Sequence, residues 1–307
     1  MGQQEIKIGY VKTKNIMTKS NLPLGGYSVN PYIGCPHACK YCYASFMKRF
    51  TGHKEDWGKF ADVKDWVKIK NPKKYEGQRI VIGSVTDGYN PLEEKFANTR
   101  RLLEELQDSG ADILICTKSD LVLRDLELLK KMNRNNKLTV SWSINTLDEN
   151  FRKDMDEAVS IERRISAMKR VYDAGIRTVC FISPFFPGIT DFETIFERVR
   201  NQCDLVWLEN LNLRGGFKAD IMKYIEQSYS ELVPLYEEIY HKKNRSYFEA
   251  VEKKAREIAE KYECRFVDNE MPYERAKAGK PVIVDYFYHE EVRGSENSGQ
   301  RNKKMGL

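Results

Sequence analysis

Tyr27-Ser-Val-Asn-Pro-Tyr-Ile-Gly-Cys35-Pro-His-Ala-Cys39-Lys-Tyr-Cys42 places an apolar run, Tyr27 to Ile33, directly before three cysteines within eight residues. A short apolar run ended by glycine reads as a buried strand, and the residues after Gly34 read as a tight loop carrying three thiols. Proline, histidine and lysine leave that loop no apolar face, so the cysteines are read as ligands rather than core fillers. Zinc sites commonly pair two C-x2-C units, and no second pair exists: Cys116, Cys180, Cys203 and Cys264 stand singly. His37 as a fourth zinc ligand would sit awkwardly between two others. Three thiolates on a 4Fe-4S cluster would leave one iron open to a further ligand.

Outward from this loop the chain alternates apolar runs with amphipathic helices. The runs are Arg79 to Ile82, Asp112 to Cys116, Leu138 to Ser143, Thr178 to Ser183 and Leu205 to Leu208. Between them, Phe96, Leu102, Leu103 and Leu106, and then Ile161, Ile165, Met168 and Val171, fall at helical spacing. Continuous apolar strands separated by one helix each predict a parallel sheet buried on both faces, with right-handed crossovers. The fold expected is α/β, a partial (βα)6 TIM-like barrel with a C-terminal helical and β extension. Residues 1–26 are a lead segment, 27–219 the barrel and 220–292 the extension. The polar tail 293–307 is expected to be disordered.

Hydrophobic residues make up 41% and charged residues 31% of 307, a globular composition that excludes collagen-like and disordered classes. A net charge of +6 permits nucleic-acid contact without arguing for it. No membrane-length apolar run and no signal-like start occur, so a cytoplasmic location and no membrane partner are expected. Phosphate-loop, nucleophile-elbow and dinucleotide motifs are absent, and with four histidines a His-centred hydrolase is disfavoured.

C-x3-C-x2-C with an aromatic residue before the third cysteine, at the end of the first strand of a βα series, resembles the radical S-adenosylmethionine superfamily. Within it, Gly83-Ser-Val-Thr-Asp-Gly-Tyr-Asn-Pro91, Thr117-Lys-Ser119, Arg124-Asp125, Ser143-Ile-Asn-Thr146 and Pro187-Gly-Ile189 are similar to the spore-photoproduct-lyase-like branch, including the radical SAM mobile pair proteins. The resemblance implies a 4Fe-4S cluster on Cys35, Cys39 and Cys42, with S-adenosylmethionine on the open iron. It also implies reductive cleavage to a 5′-deoxyadenosyl radical, and an external one-electron donor such as flavodoxin or ferredoxin. That branch's hydrogen-donating cysteine matches Gly83; Cys116 would have to face the barrel interior to stand in for it, and Tyr89 is the other candidate donor, so repair of thymine photoproducts is not expected.

Ligands of parallel α/β barrels collect at the carboxyl ends of the strands. There the sequence sets Ser84, Thr86 and Asp87, then Lys118, then Ser143 and Asn145, then Ser183 and Pro184, with Tyr41 in the cysteine loop. These supply an acceptor for an ammonium, a donor for a carboxylate and hydroxyl partners for a ribose, and are taken as the S-adenosylmethionine contacts. Arg163, Arg164 and Glu157 are ambiguous between the site and a solvated helix face. The expected substrate is unidentified, a peptide or protein before a nucleic acid; the basic stretches Lys64 to Lys74, with Trp66, and Lys130 to Lys137 are candidates to meet phosphate or an acidic peptide, though such runs are more often solvated. The rival readings are a non-catalytic iron–sulfur carrier or sensor and a zinc-binding, nucleic-acid-contacting module.

Overall fold

The computed structural model describes residues 6–20, 26–213, 215–268 and 272–285. The strands are β1 (Lys7–Thr13), β2 (Thr18–Lys19), β3 (Tyr27–Val29), β4 (Tyr32–Ile33), β5 (Phe60–Trp66), β6 (Arg79–Ile82), β7 (Asp112–Thr117), β8 (Lys137–Ser143), β9 (Arg177–Phe185), β10 (Leu205–Asn210), β11 (Phe266–Asp268) and β12 (Val282–Asp285). The α-helices are α1 (Glu93–Phe96), α2 (Asn98–Leu106), α3 (Leu126–Asn135), α4 (Glu149–Met155), α5 (Ile161–Asp173), α6 (Phe192–Val199), α7 (Phe217–Ser228), α8 (Val233–Tyr240) and α9 (Ser246–Lys261).

One nine-stranded sheet runs β11-β12-β10-β9-β8-β7-β6-β3-β2. All of its pairings are parallel except β2 with β3 at the edge, and the sheet does not close. This is the partial barrel read from the alternation of strands and helices. The two strands beyond residue 220 join the same sheet, β12 beside β10 and β11 outside it. The tail 293–307 and residues 286–292 of the extension lie outside the described residues.

Alternation along the strands separates two apolar layers. Val81, Leu114, Val179, Leu205, Trp207, Val282 and Val284 point inward as a small cluster, with Cys116 and Phe181 packed on it. Ile80, Ile82, Ile113, Ile115, Val206 and Leu208 point outward, where the helices cover them. Ile161, Ile165, Met168 and Val171 of α5 are buried as their spacing requires, and Ser160 caps the helix by accepting from the Arg163 amide.

Three differences from the sequence reading have local causes. The Tyr27 to Ile33 run is two strands, because Pro31 has no N–H to donate and restricts Asn30 before it. β3 enters the barrel, while β4 pairs with β5 in a separate three-stranded sheet with β1, a sheet the sequence reading did not contain. The helical stretch after β6 is interrupted at Ala97, whose φ is +51°, and Phe96 is only half-buried. Trp66, in a stretch read as able to meet phosphate or an acidic peptide, is buried in β5; its indole N–H donates to Glu105 at 3.1 Å and the Arg101 guanidinium lies 4.3 Å from its ring centre.

Candidate active site

The cysteine loop is built from its own backbone and then pinned from three sides. Ala38 N–H donates to Cys35 O and Cys42 N–H to Cys39 O, both at 3.1 Å, which folds the three thiols onto one turn. Gly34 takes φ +81°, and a Cβ there would stand 2.5 Å from Phe60 O, so the approach to β5 requires glycine. Lys40 N–H donates to Met155 O, and Glu157 N–H donates to His37 O, tying the loop to the end of α4. Thr86 Oγ1 donates to Gly34 O at 2.6 Å and His37 Nε2 lies 3.1 Å from Asp87 Oδ2, tying it to the β6 end.

Cys35, Cys39 and Cys42 line a cavity of about 440 Å³ at the carboxyl ends of the barrel strands. The strand-end residues Ser84, Thr86, Asp87, Lys118, Ser143, Ser183 and Pro184 line the same cavity, as does Tyr41. Asn145 does not; it is buried, and its Nδ2 donates to Pro184 O at 3.3 Å, holding one rim loop against the next.

Asp87 is committed within the fold. Its carboxylate accepts from Thr117 Oγ1 at 2.9 Å, from the Lys118 amide at 2.6 Å and from the Tyr89 amide at 2.8 Å, besides His37. Burial alone would raise its pKa, but His37 and these donors outweigh it and hold the carboxyl below its ordinary value. Asp87 therefore positions the cysteine loop and the Lys118 backbone rather than offering an open acceptor. Ser84 shares a 2.5 Å hydrogen bond with Ser28 and accepts from Asn30 Nδ2 at 3.1 Å, while its backbone oxygen accepts from Tyr43.

Lys118 brings the cation. Its Nζ lies 5.6 Å from the Tyr41 ring centre, and although burial opposes its charge, Cys39 and Asp156 hold its pKa above the ordinary value. Burial pushes the thiols of Cys35 and Cys39 up to about 12 and that of Cys42 to about 11. With Cys35 buried and Cys39 and Cys42 partly buried, the three thiols become thiolates together only against a strongly cationic partner, which fits a metal cluster in this loop.

The ambiguous arginines resolve into scaffold. Arg164 is wholly buried and donates to Asp156 Oδ1 at 2.6 Å, to Val159 O and to Ser143 O, while Tyr41 Oη donates to Asp156 Oδ2 at 3.3 Å. Arg163 forms a fork on Asp120 at 2.7 and 2.8 Å on the surface, and Glu157 is exposed.

The sequence reading missed the β10 wall. Trp207, Glu209, Asn210, Leu211 and Asn212 line the cavity, and Ser183 Oγ donates to Glu209 Oε2 at 2.6 Å. The apolar run ends at Leu208, yet β10 continues through Glu209 and Asn210 to the rim beside Ser183. A register shift between Leu208 and Asn210 brings successive residues to one rim. Cys116 also faces this cavity, sharing its parity on β7 with Leu114. Gly83 takes φ +92°, and a Cβ there would stand 2.4 Å from Cys116 O, so no side chain fits that position without rearrangement.

Residues 29–199 match the sequence model of the Radical SAM superfamily. An uncharacterized protein of Methanocaldococcus jannaschii is 36% identical over 228 residues, covering 74% of this chain and 85% of that one. A radical SAM Nalpha-GlyT isomerase of Pseudomonas phage M6 is 25% identical over 214 residues, covering 68% of this chain and 39% of that one. Among solved structures, spore photoproduct lyase in complex with dinucleoside spore photoproduct superposes with a TM-score of 0.51 at 15% identity, covering 73% of this chain. The match spans 66% of the lyase, just under two thirds of its length, and is a likeness of fold. No helix among the described residues is long and apolar enough to cross a membrane.

Proposed function

The chain belongs to the radical SAM superfamily and is a radical SAM enzyme, and on that premise we propose that Cys35, Cys39 and Cys42 hold a 4Fe-4S cluster and that the cavity they line takes S-adenosylmethionine. The observation that carries the reading is the meeting of three loop thiols and the polar strand ends on one cavity of about 440 Å³, a volume within the usual range for small-molecule sites. When bound, the cluster and S-adenosylmethionine supply one-electron cleavage to methionine and a 5′-deoxyadenosyl radical that takes hydrogen from a substrate.

The chain's own residues supply position and shelter. Lys118 offers an ammonium suited to a carboxylate in the cysteine half of the cavity, and Ser143 and Ser183 offer hydroxyls along the rim. Tyr41, braced by Asp156 and by an edge contact to Phe186 at 5.5 Å, fixes the orientation of the loop between the second and third ligands. Val81, Leu114, Phe181 and Trp207 form an apolar floor that keeps water from a reactive carbon radical.

For the substrate, we favour a peptide or protein over a nucleic acid. The support is that Trp66, the aromatic residue of the basic Lys64 to Lys74 stretch, is buried and cannot stack a base. Lys64 is itself largely desolvated, which lowers its pKa.

Anaerobic reconstitution tests the reading: about four iron and four sulfide per chain are expected, with slow release of 5′-deoxyadenosine when reduced protein meets S-adenosylmethionine. A reconstituted, cluster-loaded protein that leaves S-adenosylmethionine intact would return it to the carrier or sensor class. Zinc in place of iron would overturn the assignment altogether.

A further inference from the structure

The β10 wall of the cavity holds a buried carboxamide that the fold leaves unanswered. Asn210 is 1% exposed, and neither its Nδ2 nor its Oδ1 has a hydrogen-bond partner. Among the described residues, no other carboxamide or carboxylate has both of its polar atoms buried in this state. The side chain lines the cavity together with Trp207 and Glu209. Its backbone is no frayed strand end: Leu211 N–H donates to Phe185 O at 3.2 Å, and Tyr240 Oη donates to Leu211 O at 3.0 Å. A buried polar group without a partner costs free energy, and one held firmly at a cavity wall is presented to whatever enters.

The group itself defines what it can take. A carboxamide sets a donor beside an acceptor, so its complement is an acceptor beside a donor on one edge. In an extended peptide the N–H and C=O of a single residue point to the same side, which is the edge that a neighbouring strand pairs with.

Charge selects among the carriers of such an edge. The charged side chains among the described lining residues are Lys118, near the cysteine loop, and the carboxylates Asp87 and Glu209, with His37 bonded to Asp87. Glu209 directly precedes Asn210, so a nucleotide would bring its phosphate toward a carboxylate, whereas a peptide main chain is neutral. Lys118, Ser143 and Ser183, the groups assigned to the cofactor, belong to the ends of β7, β8 and β9, and Asn210 stands one strand beyond the last of them.

Resting on the reading above, we propose that Asn210 determines substrate specificity: its carboxamide takes the N–H and C=O of one residue of an extended peptide substrate, as a neighbouring strand would, and so fixes which part of that peptide lies over the apolar floor.

The test uses two small probes on the full chain, with binding read by the NMR line widths of the probe. One is N-acetyl-L-alanine N-methylamide; the other is its O-acetyl-L-lactic acid counterpart, in which the residue's N–H is replaced by an ester oxygen. Wild type should prefer the amide by roughly three- to tenfold. Asn210→Leu, similar in volume and without a polar atom, should bind both probes weakly and alike, keep its affinity for S-adenosylmethionine, and melt no lower than wild type, because it removes a buried group that had nothing to bond. Equal binding of the two probes by wild type, or binding of neither, would overturn the proposal without recourse to any variant. Loss of S-adenosylmethionine affinity in Asn210→Leu would assign the carboxamide to the cofactor's adenine, a lower melting temperature would assign it to the fold, and tighter binding of thymidine, whose base carries the same edge, would assign it to a nucleic acid; each of these also overturns it. Failure of the cofactor reading would show differently, as absent iron and no S-adenosylmethionine binding, and the preference of wild type for the amide probe is measured without either.

Discussion

Two places among the described residues gather three potential metal-ligand groups, and they differ in what the chain supplies against them. At the C-terminal edge of the sheet, Glu252 of α9, Asp268 of β11 and Asp285 of β12 bring carboxylate oxygens within 4.8 Å of one another. Arg256 sits among them, 2.9 Å from Glu252 and 3.0 Å from Asp268, so the chain provides its own cation. At the cysteine loop the donors are one buried and two partly buried thiols, and the nearby cation, Lys118, is one charge against three prospective thiolates. Proximity of donors is therefore a weak criterion for a metal site. A better one is whether folding leaves the donors' charge uncompensated.

The largest effect that would break this contrast is loss of the cluster. Replacing any one of Cys35, Cys39 or Cys42 by Ala should take iron from about four per chain to near zero, whereas Cys116→Ala should retain it although Cys116 faces the same cavity. Iron analysis after anaerobic reconstitution reads both.

Next in size is the buried brace behind the loop. Arg164 and Asp156 are both essentially unexposed, so Arg164→Met leaves a carboxylate buried without its partner and should cost about 3–5 kcal/mol in urea unfolding. A loss under about 1 kcal/mol would mean that Arg152, 3.8 Å from Asp156, takes over its charge.

A smaller effect tests the cofactor half of the cavity. Lys118→Ala should weaken S-adenosylmethionine binding by roughly ten- to a hundred-fold, the loss of one charge-assisted hydrogen bond of about 1.5–3 kcal/mol, with iron content preserved. Ser84→Ala should do less, since Ser84 already bonds Ser28 and Asn30. Equal affinity in wild type and Lys118→Ala, measured by equilibrium dialysis, would move the carboxylate elsewhere in the cavity.

The smallest change is expected at the carboxylates. Glu252→Gln should shift stability by no more than about 0.5 kcal/mol, and titration with calcium or manganese should show no binding that the substitution removes. A divalent site lost on this substitution would erase the distinction drawn between the two clusters.

The expectation about photoproduct repair changes its footing. It rested on Gly83 in place of the donor cysteine, with Cys116 able to stand in only from the barrel interior. Gly83 stands, held by its positive φ and by the closeness of the Cys116 carbonyl, but Cys116 lines the cavity. Multiple-turnover recovery of thymines from photoproduct-containing DNA, tested alongside Cys116→Ala, separates the two conditions.

Local sequence alone determined the cysteine loop, because its ligands are neighbours in the chain and need no fold to be recognised together. It also determined six barrel strands and their crossovers, because continuous apolar runs and helical spacing are set by burial on both sides of a parallel sheet. Only the tertiary structure decided which way each strand's residues face. Alternation groups Cys116 with Leu114, but in a strand apolar on both faces nothing in Asp112 to Thr117 says whether that set or Ile113 and Ile115 faces the cavity. Pairing likewise split β4 from β3 and buried Trp66, both matters of long-range partners. Asp87 shows the same limit at a single residue: its type and place at a strand end matched a ligand contact, but His37, Thr117, Tyr89 and Lys118 converge on it only after folding. Hydrogen-bond capacity is finite, and which donors use it depends on distances that no spacing in the sequence encodes.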